Sequence, residues 1–422
     1  MNRSYLGDRL LEHLLNNEVL LIIKTPQLRG FFIFDTMRNV YVLIISLLLL
    51  IGCSFSPDPI KSAFKKDEFL KKIVKDKDKY ELQIAFTEIS RNKDGEPIFK
   101  DFEFQVDENK YFYPASTTKL PIVVLTLDKI NKLRSSGINI TLKSKILISS
   151  NYSEKNEIQL DTITSFQNLI ADVFLVSDNY SSNILIDFIG YNYFNTKMSH
   201  AGFKNTYLNH KFNPDPYVNI DWLIKTVDKQ LISSNQDQII VTANQNISGL
   251  KKGENKFQDG RIVSGSLDFS QKNRHSIRDM HNLLKRIIFP SKLDKENVFN
   301  LNVEDYDFLR YWMSRYTYED LGDKFRTDKK YFDSYNKFFI HGSDTVVNNR
   351  NIRVYNKLGQ AYGTSVDNAY IRNYQDDIEF VLTATIYTNK NKTINDNVYE
   401  YDETAIPFLA KLSQSLYNNL ID

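Results

Sequence analysis

The sequence predicts an α/β fold in which a sheet domain built from both ends of the chain carries an inserted helical domain. Two strand-like runs lie near the start, ELQIAFTEI (81–89) and DFEFQV (101–106). Similar runs return near the end, and helical patterns dominate between the two groups. This order favours a discontinuous sheet domain. The predicted parts are a sheet domain at 67–114 plus 350–422, a helical domain at 115–349, and late strands at 352–358, 367–373 and 378–388.

Amphipathic helices are predicted on both sides of these strands. The run DEFLKKIVKD places Phe69, Leu70 and Ile73 at helical spacing before the first strand. The run TAIPFLAKLSQSLYNNL closes the chain with a second amphipathic pattern. Both helices are therefore assigned to the sheet domain.

The composition indicates a folded protein and gives no support to nucleic-acid binding. Lys and Arg number 54 and Asp and Glu number 52, which gives a formal charge of +2 rather than a strongly basic balance. Aromatic residues make up 13% and hydrophobic residues 42% of the chain, which argues against disorder.

The segment MRNVYVLIISLLLLIGC (37–53) predicts an export signal that ends at the only cysteine, Cys53. Arg38 provides a positive start, and Val40–Ile51 form an apolar run. This run is too short to cross about 30 Å of hydrocarbon comfortably, but it suits a signal peptide. With a single cysteine, the chain forms no internal disulfide.

The end of this segment, Leu50–Cys53, resembles a bacterial lipobox, in which the chain is cut before the cysteine and the thiol is acylated. The resemblance implies a signal peptide at 37–52, a lipid on Cys53 and a polar tether at 53–66. It also implies a location in the cell envelope, anchored to the membrane and facing the periplasm or the exterior. The alternative is an uncleaved membrane anchor with a buried cysteine.

Residues 1–36 do not fit this scheme, because a signal peptide begins near the N-terminus. Met37 stands where a start codon would be expected. Our hypothesis is that the natural product starts at Met37 and that 1–36 are a spurious extension.

Three short motifs carry the chemistry, and they occur in the order Ser116-Thr-Thr-Lys119, Ser177-Asp-Asn179 and Lys357-Leu-Gly359. Each one alone is weak evidence. Ser116 can be an N-cap residue with a solvated lysine behind it, SDN can be a turn, and KLG can be a strand end. Together they fit acyl transfer, because a serine hydroxyl needs an adjacent base and a lysine becomes that base when its pKa falls.

The three motifs in this order resemble those of class A β-lactamase-like serine hydrolases, members of the β-lactamase/transpeptidase-like superfamily. The resemblance extends from about residue 68 to the C-terminus. It implies a two-domain fold with an antiparallel sheet, flanked by the N- and C-terminal helices, and an inserted all-helical domain.

The resemblance also implies a role for each motif residue. Ser116 is the nucleophile, Lys119 its base and Ser177 a proton relay to the leaving nitrogen. The substrate-binding residues implied are Asn179 for an acylamino group, Lys357 for a carboxylate, Gly359 for close backbone approach, and Gln360, whose N–H forms an oxyanion hole with that of Ser116.

Two positions depart from the family pattern. Leu358 replaces a hydroxyl residue that binds the substrate carboxylate in the family, which weakens that anchor. In KFNPDP (211–216), Asn213 stands where class A enzymes carry the glutamate that activates the deacylating water. A neutral amide cannot accept a proton from water, so we expect slow deacylation unless Asp215 replaces the glutamate. The alternative is that FNPDP is an ordinary proline-rich turn.

A segment near 218–270 makes the interval before the helix SIRDMHNLLKRI (276–287) longer than is usual in the family, and we predict an insertion there beside the site.

Other chemistries have little support. The six histidines are scattered, and the chain contains no HExxH, GxSxG or P-loop motif. We therefore expect neither a metal nor a cofactor.

The sequence thus predicts a membrane-anchored serine hydrolase acting on a small-molecule β-lactam or a peptidoglycan-like substrate, as a monomer and without nucleic acid. Two alternatives stay open. One is a D,D-peptidase-like cell-wall hydrolase, and the other is a degenerate, non-catalytic β-lactam or peptidoglycan binder.

Overall fold

The computed structural model of the protein describes residues 58–150, 162–233, 241, 246–293, 298–320, 325 and 327–421. The predictions for 1–36, 37–52, Cys53 and the first residues of the tether lie outside the described residues. Within the described ranges, no helix is long and apolar enough to cross a membrane. The helices are α1 (Pro59–Lys66), α2 (Glu68–Lys75), α3 (Lys119–Ser135), α4 (Phe166–Leu175), α5 (Asn179–Ile189), α6 (Tyr191–His200), α7 (Ile277–Ile288), α8 (Pro290–Leu293), α9 (Val303–Ser314), α10 (Thr317–Asp320) and α11 (Ile406–Ile421). The strands are β1 (Gln83–Arg91), β2 (Pro97–Phe104), β3 (Lys145–Ser150), β4 (Thr162–Ser165), β5 (Thr206–Tyr207), β6 (Trp222–Thr226), β7 (Lys251–Lys252), β8 (Asn255–Gln258), β9 (Arg261–Ser264), β10 (Leu267–Asp268), β11 (Arg274–His275), β12 (Ile352–Asn356), β13 (Gly359–Ala361), β14 (Thr364–Asn373), β15 (Ile378–Tyr387) and β16 (Thr393–Ile394).

The central sheet unites the two ends of the chain, as the sequence predicts. Its strand order is β12-β14-β15-β1-β2, with β13 also paired to β14, and every pair is antiparallel. The pairing of β1 with β15 brings Gln83 opposite Thr385. Strands β14 and β15 are buried along nearly their whole length because helices cover both faces of the sheet. The predicted α/β fold class with an antiparallel sheet is confirmed.

Helix α1 corrects the predicted tether. Asp58 caps it by accepting hydrogen bonds from the first helical N–H groups, and Pro59 occupies the first position, where proline is favoured. Its buried residues Ile60, Ala63 and Phe64 recur at helical spacing. The Phe64 ring packs edge-on against Phe104 with centroids 5.0 Å apart. The prediction of a tether over 53–66 is therefore wrong from Pro59 onward.

Helix α3 runs through the middle of the largest hydrophobic cluster. Its residues from Lys119 to Ile130 are buried on every side, which is typical of a central helix. Helices α4 and α5 pack in the same cluster, with Phe166 and Phe188 in ring contact at 4.5 Å. The core thus fixes the N-terminal end of α3, which begins at Lys119 directly after the turn that contains Ser116.

The part predicted as helical also contains strands. Strands β4, β3 and β6 form one small sheet, and β8 and β9 form a hairpin that pairs with β16. Asp259 and Gly260 close this hairpin with positive φ angles, as a two-residue turn requires. Residues 218–270, predicted as an insertion within a helical domain, therefore consist of short strands and loops wherever they are described.

Candidate active site

Ser116 lies in a tight turn directly before helix α3. Residues Ala115–Thr118 form a single 3-10 turn, in which Ala115 has a φ of +47°. The hydroxyl of Thr117 donates to Pro114 O at 2.7 Å and that of Thr118 donates to Ala115 O at 2.9 Å, which fixes the turn. The Ser116 side chain lines a cavity and does not cap the helix. The alternative of an ordinary N-cap serine therefore does not describe it.

Lys119 is fully buried, one turn after Ser116. Its Nζ donates to Ser177 O at 2.5 Å and to Asn179 Oδ1 at 2.6 Å. Burial lowers the pKa of Lys119 well below its usual value, and the positive charge of Lys357 lowers it further, against a smaller opposite effect of Asp178. A buried lysine with a depressed pKa is chemically suited to accept a proton, in contrast to the solvated lysine of the alternative interpretation.

Ser177 connects the two lysines of the motifs. It has a φ of +56°, and Asp178 caps the following helix α5 by accepting from Ser181 N. Ser177 Oγ lies 3.4 Å from Lys119 Nζ and accepts a hydrogen bond of 2.9 Å from Lys357 Nζ. The structure therefore brings the three sequence motifs together around one hydroxyl group.

Lys357 is buried at the end of β12 and donates to Leu358 O in addition to Ser177. Burial lowers the pKa of Lys357 to about 7, although the carboxylate of Asp367 acts in the opposite direction. A lowered pKa suits a group that hydrogen-bonds a relay hydroxyl.

Gly359 allows the edge strand β13 to approach the nucleophile turn. A Cβ atom at this position would lie 2.7 Å from Pro114 O and 2.7 Å from Ser116 N. These separations are shorter than real Cβ contacts, so only glycine fits without a shift of the backbone. The close approach leaves the N–H of Ser116 beside the strand.

The register of β13 predicts that the N–H of Gln360 points away from β14. Ala361 and Thr364 close the β13–β14 hairpin around a two-residue turn, so this pair exchanges hydrogen bonds and the next pair, Gln360 with Ser365, does not. Strand β13 contacts the Ala115–Thr118 turn. The two N–H groups predicted to form an oxyanion hole, those of Ser116 and Gln360, therefore belong to adjacent segments.

Asn179 lines the cavity, and its side-chain amide is also hydrogen-bonded within the protein. Its Oδ1 accepts from Lys119, and its Nδ2 donates to Pro214 O at 3.1 Å. Both ends of the amide are thus engaged within the protein. Asn213 precedes Pro214 through a cis peptide bond and is exposed at the cavity.

Asp215 is buried. Its Oδ2 accepts from Asn183 Nδ2 at 2.7 Å and its Oδ1 from Tyr217 N at 2.9 Å. It lies outside the set of residues that line the cavity. Both oxygens of this carboxylate are thus engaged, one with α5 and one within the 211–217 loop.

Ser116 opens into a cavity of about 670 Å³. Its lining includes polar residues, among them Asn179 and Asn213, and apolar residues, among them Leu358. Further lining residues come from segments that the sequence interpretation did not assign to the site, and they include Phe332, Tyr335, Phe338 and Asp402.

Residues 66–420 match the profile of the family described as "Beta-lactamase enzyme family". The chain belongs to the β-lactamase enzyme family. A search of the curated proteins finds no match.

Solved structures similar to this β-lactamase-family chain include three of low sequence identity. A class A β-lactamase from Bacteroides cellulosilyticus shares 15% identity, with a TM-score of 0.47 and coverage of 87% of this chain and 99% of that chain. A β-lactamase from Xanthomonas campestris shares 14%, with a TM-score of 0.46 and coverage of 84% and 98%. A β-lactamase from Sphaerobacter thermophilus shares 12%, with a TM-score of 0.45 and coverage of 85% and 94%.

Behind Lys357, the β-lactamase-family protein carries a buried polar network that the sequence interpretation missed. Lys337 Nζ donates to Asn356 Oδ1 at 2.7 Å, and Asn356 Nδ2 donates to Asp367 Oδ1 at 2.8 Å. Burial lowers the pKa of Lys337 to about 7 and raises the pKa of Asp367. The sequence signal for this network was Asp367 in the strand-like run DNAYIRN, because a charged residue in a buried strand indicates a buried partner.

Proposed function

We propose that this protein is a serine hydrolase that is acylated at Ser116 by a β-lactam or a related amide and that releases the acyl group slowly. The observation that carries the proposal is the arrangement at Lys119. A neutral amine has two N–H groups and one lone pair, and here two carbonyl oxygens, those of Ser177 and Asn179, take the two hydrogens. We infer that the remaining lone pair accepts the proton of Ser116, which precedes Lys119 by one helical turn.

In the proposed acylation, Ser116 Oγ attacks the amide carbonyl while its proton moves to Lys119 Nζ. The oxygen of the tetrahedral intermediate receives hydrogen bonds from the N–H groups of Ser116 and Gln360, an interaction that typically contributes about 3 kcal/mol per donor. When the C–N bond breaks, Ser177 passes its hydroxyl proton to the leaving nitrogen, and Ser177 regains a proton from a neighbouring lysine. The acyl-enzyme forms without any proton from bulk water.

Slow deacylation follows from the groups beside the cavity. Asn213 can orient a water molecule, but an amide does not accept a proton from it. Asp215 has both oxygens engaged with Asn183 and Tyr217. Lys119 would then have to serve as the base for both halves of the reaction.

A fluorescent penicillin tests the proposal. We expect a covalent adduct on Ser116 by intact and peptide mass spectrometry, a lifetime long enough to observe, and no adduct with Ser116→Ala. Ser135→Ala, which changes an exposed serine at the end of helix α3, is the matched control and keeps the adduct. Rapid turnover without a lasting adduct would contradict slow deacylation, and labelling that persists in Ser116→Ala would contradict the nucleophile.

We also propose that Cys53 is lipidated and holds the protein, as a monomer, at the cell envelope. The support is the sequence of 37–53 with its Gly-Cys end, and two or more acyl chains suffice for stable anchoring. Metabolic labelling with an alkyne-bearing fatty acid is expected to mark the wild type and not Cys53→Ser. Equal labelling of both proteins would overturn the lipidation site.

A further inference from the structure

The cavity at Ser116 has an apolar side that continues into the core of the protein. Leu358, Phe338 and Ile406 line it and belong to one hydrophobic cluster with the sheet and α11. Phe332 and Tyr335 add further aromatic surface to the cavity as an edge-to-face ring pair, whose centroids are 5.9 Å apart. A substrate group lying there replaces water on hydrocarbon and aromatic surface, which favours an apolar group.

This apolar side is held rigidly. The N–H groups of Phe338 and Phe339 both donate to Asp367 Oδ2 at 3.1 Å, and Ile340 N donates to Ser413 Oγ at 2.7 Å. These bonds attach residues 338–340 to β14 and to α11. These contacts preorganise the part of the surface that contains Phe338, which lowers the cost of ordering it on binding.

The charges around the cavity disfavour an anionic group on this side. The amines of Lys119 and Lys357 are buried and donate to protein oxygens, and neither residue lines the cavity. Among the described lining residues, none is Lys, Arg or His. Asp402 lines the cavity and is exposed, so its carboxylate repels an incoming anion.

The geometry points to a specific substrate class for this site: uncharged acyl donors, β-lactams or related amides and esters, that present an aromatic or aliphatic group rather than a carboxylate to Leu358. This inference rests on the proposed acylation of Ser116 and deepens it. A carboxylate placed against Leu358 would lose water without gaining a charged donor, and such burial is costly.

Benzylpenicillin and its methyl ester test the inference, because they share the strained ring and the aromatic side chain and differ in one carboxylate. The second-order rate constant of adduct formation is measured by intact mass spectrometry. We expect the wild type to react at least about tenfold faster with the methyl ester. Leu358→Thr supplies a hydroxyl donor and reduces this preference, whereas Leu358→Met, an apolar residue of similar volume, retains it. Equal or faster reaction of benzylpenicillin with the wild type, or an unchanged ratio in Leu358→Thr, would overturn the inference.

A third donor separates this inference from the proposed function. Phenyl acetate is an uncharged aryl ester without a β-lactam ring, and its hydrolysis is compared in the wild type and Ser116→Ala. Ser116-dependent hydrolysis without reaction of either penicillin supports the substrate class and overturns acylation by β-lactams. A preference for benzylpenicillin supports acylation and overturns the substrate class. No reaction with any of the three donors overturns both.

Discussion

Asn179 Oδ1 accepts a hydrogen bond of 2.6 Å from Lys119 Nζ. The same amide donates through Nδ2 to Pro214 O, beside Asn213. One side chain therefore links the proposed base of the acylation step to the loop on which a deacylating water would be held. A displacement of that loop would therefore move the Asn179 amide and change its hydrogen bond to Lys119.

Asn179→Asp is expected to move the pH dependence of acylation to higher pH. A carboxylate at this distance from Lys119 raises its pKa, so a smaller fraction of the amine is neutral at pH 7, and each unit of pKa lowers that fraction about tenfold. Asn179→Ala, which removes the acceptor without adding charge, should not shift the profile upward. Adduct formation measured from pH 5 to 10 in both variants checks this, and an equal upward shift in both would contradict the electrostatic explanation.

Asn213→Glu is expected to shorten the lifetime of the acyl-enzyme, since a carboxylate beside the cavity can take a proton from water. General-base catalysis of this kind typically contributes a factor of about 10². Asn213→Gln has the same length but no charge and serves as the control. Adduct decay after removal of excess penicillin is the measurement. If both variants decay at the wild-type rate, Asn213 does not occupy the deacylation position.

Gly359→Ala is expected to reduce acylation more than about tenfold, because its Cβ would collide with Ser116 N and displace one of the two oxyanion donors. The substitution acts on a backbone contact, so the loss should appear for every acyl donor. Rates with two chemically different donors, together with a near-ultraviolet circular dichroism spectrum that reports intact packing, provide the check. An unchanged rate in a folded variant would show that β13 does not form the hole.

Lys337→Met is expected to flatten the dependence of stability on pH. The pKa of Lys337 is about 7 in the folded protein, against an ordinary value of 10.5. Between these values the unfolded chain binds the additional proton, so the free energy of unfolding rises with pH across this window. Urea unfolding at pH 7, 8 and 9 should show a smaller rise for Lys337→Met than for the wild type. An identical slope would mean that Lys337 keeps its proton in the folded state.

Phe64→Ala is expected to lower the free energy of unfolding by about 3 kcal/mol, the usual cost of deleting a buried aromatic ring. Lys61→Ala, on the exposed side of the same helix, should change it by less than about 0.5 kcal/mol. Equilibrium urea unfolding of both variants distinguishes an integral helix from a tether. If Phe64→Ala is as stable as the wild type, α1 does not contribute to the core.

Much of the fold could be predicted because its signals are local. The alternation of apolar residues in β1 and β15 and the apolar length of α3 are visible in the sequence, and the sheet follows from strands at both ends of the chain. Helix α1 was missed although its signals are local too, since Asp58-Pro59 is a helix start and the apolar spacing of Ile60 and Phe64 is helical. The β8–β9 hairpin likewise has a visible turn in Asp259-Gly260.

The site was only partly predictable, because the motifs name residues and not their partners. Ser116, Lys119 and Ser177 lie together as the motifs suggest. The orientation of Asp215, by contrast, depends on Asn183, a residue of another helix, and the aromatic side of the cavity comes from residues such as Tyr335 in a segment without a periodic pattern. Contacts between distant segments of this kind leave no local trace in one sequence.

The hydroxyl of Ser177 between two amines has a consequence for how the two halves of the proposed reaction differ. In the proposed acylation, the proton of Ser116 is passed by a lysine and Ser177 to the leaving nitrogen. The protonation states of these groups are then restored without proton exchange with the solvent. Hydrolysis of the acyl-enzyme differs, because its proton comes from a water molecule that must enter the site. Acylation, which uses only this internal relay, can therefore be faster than deacylation, which depends on a water molecule from the solvent.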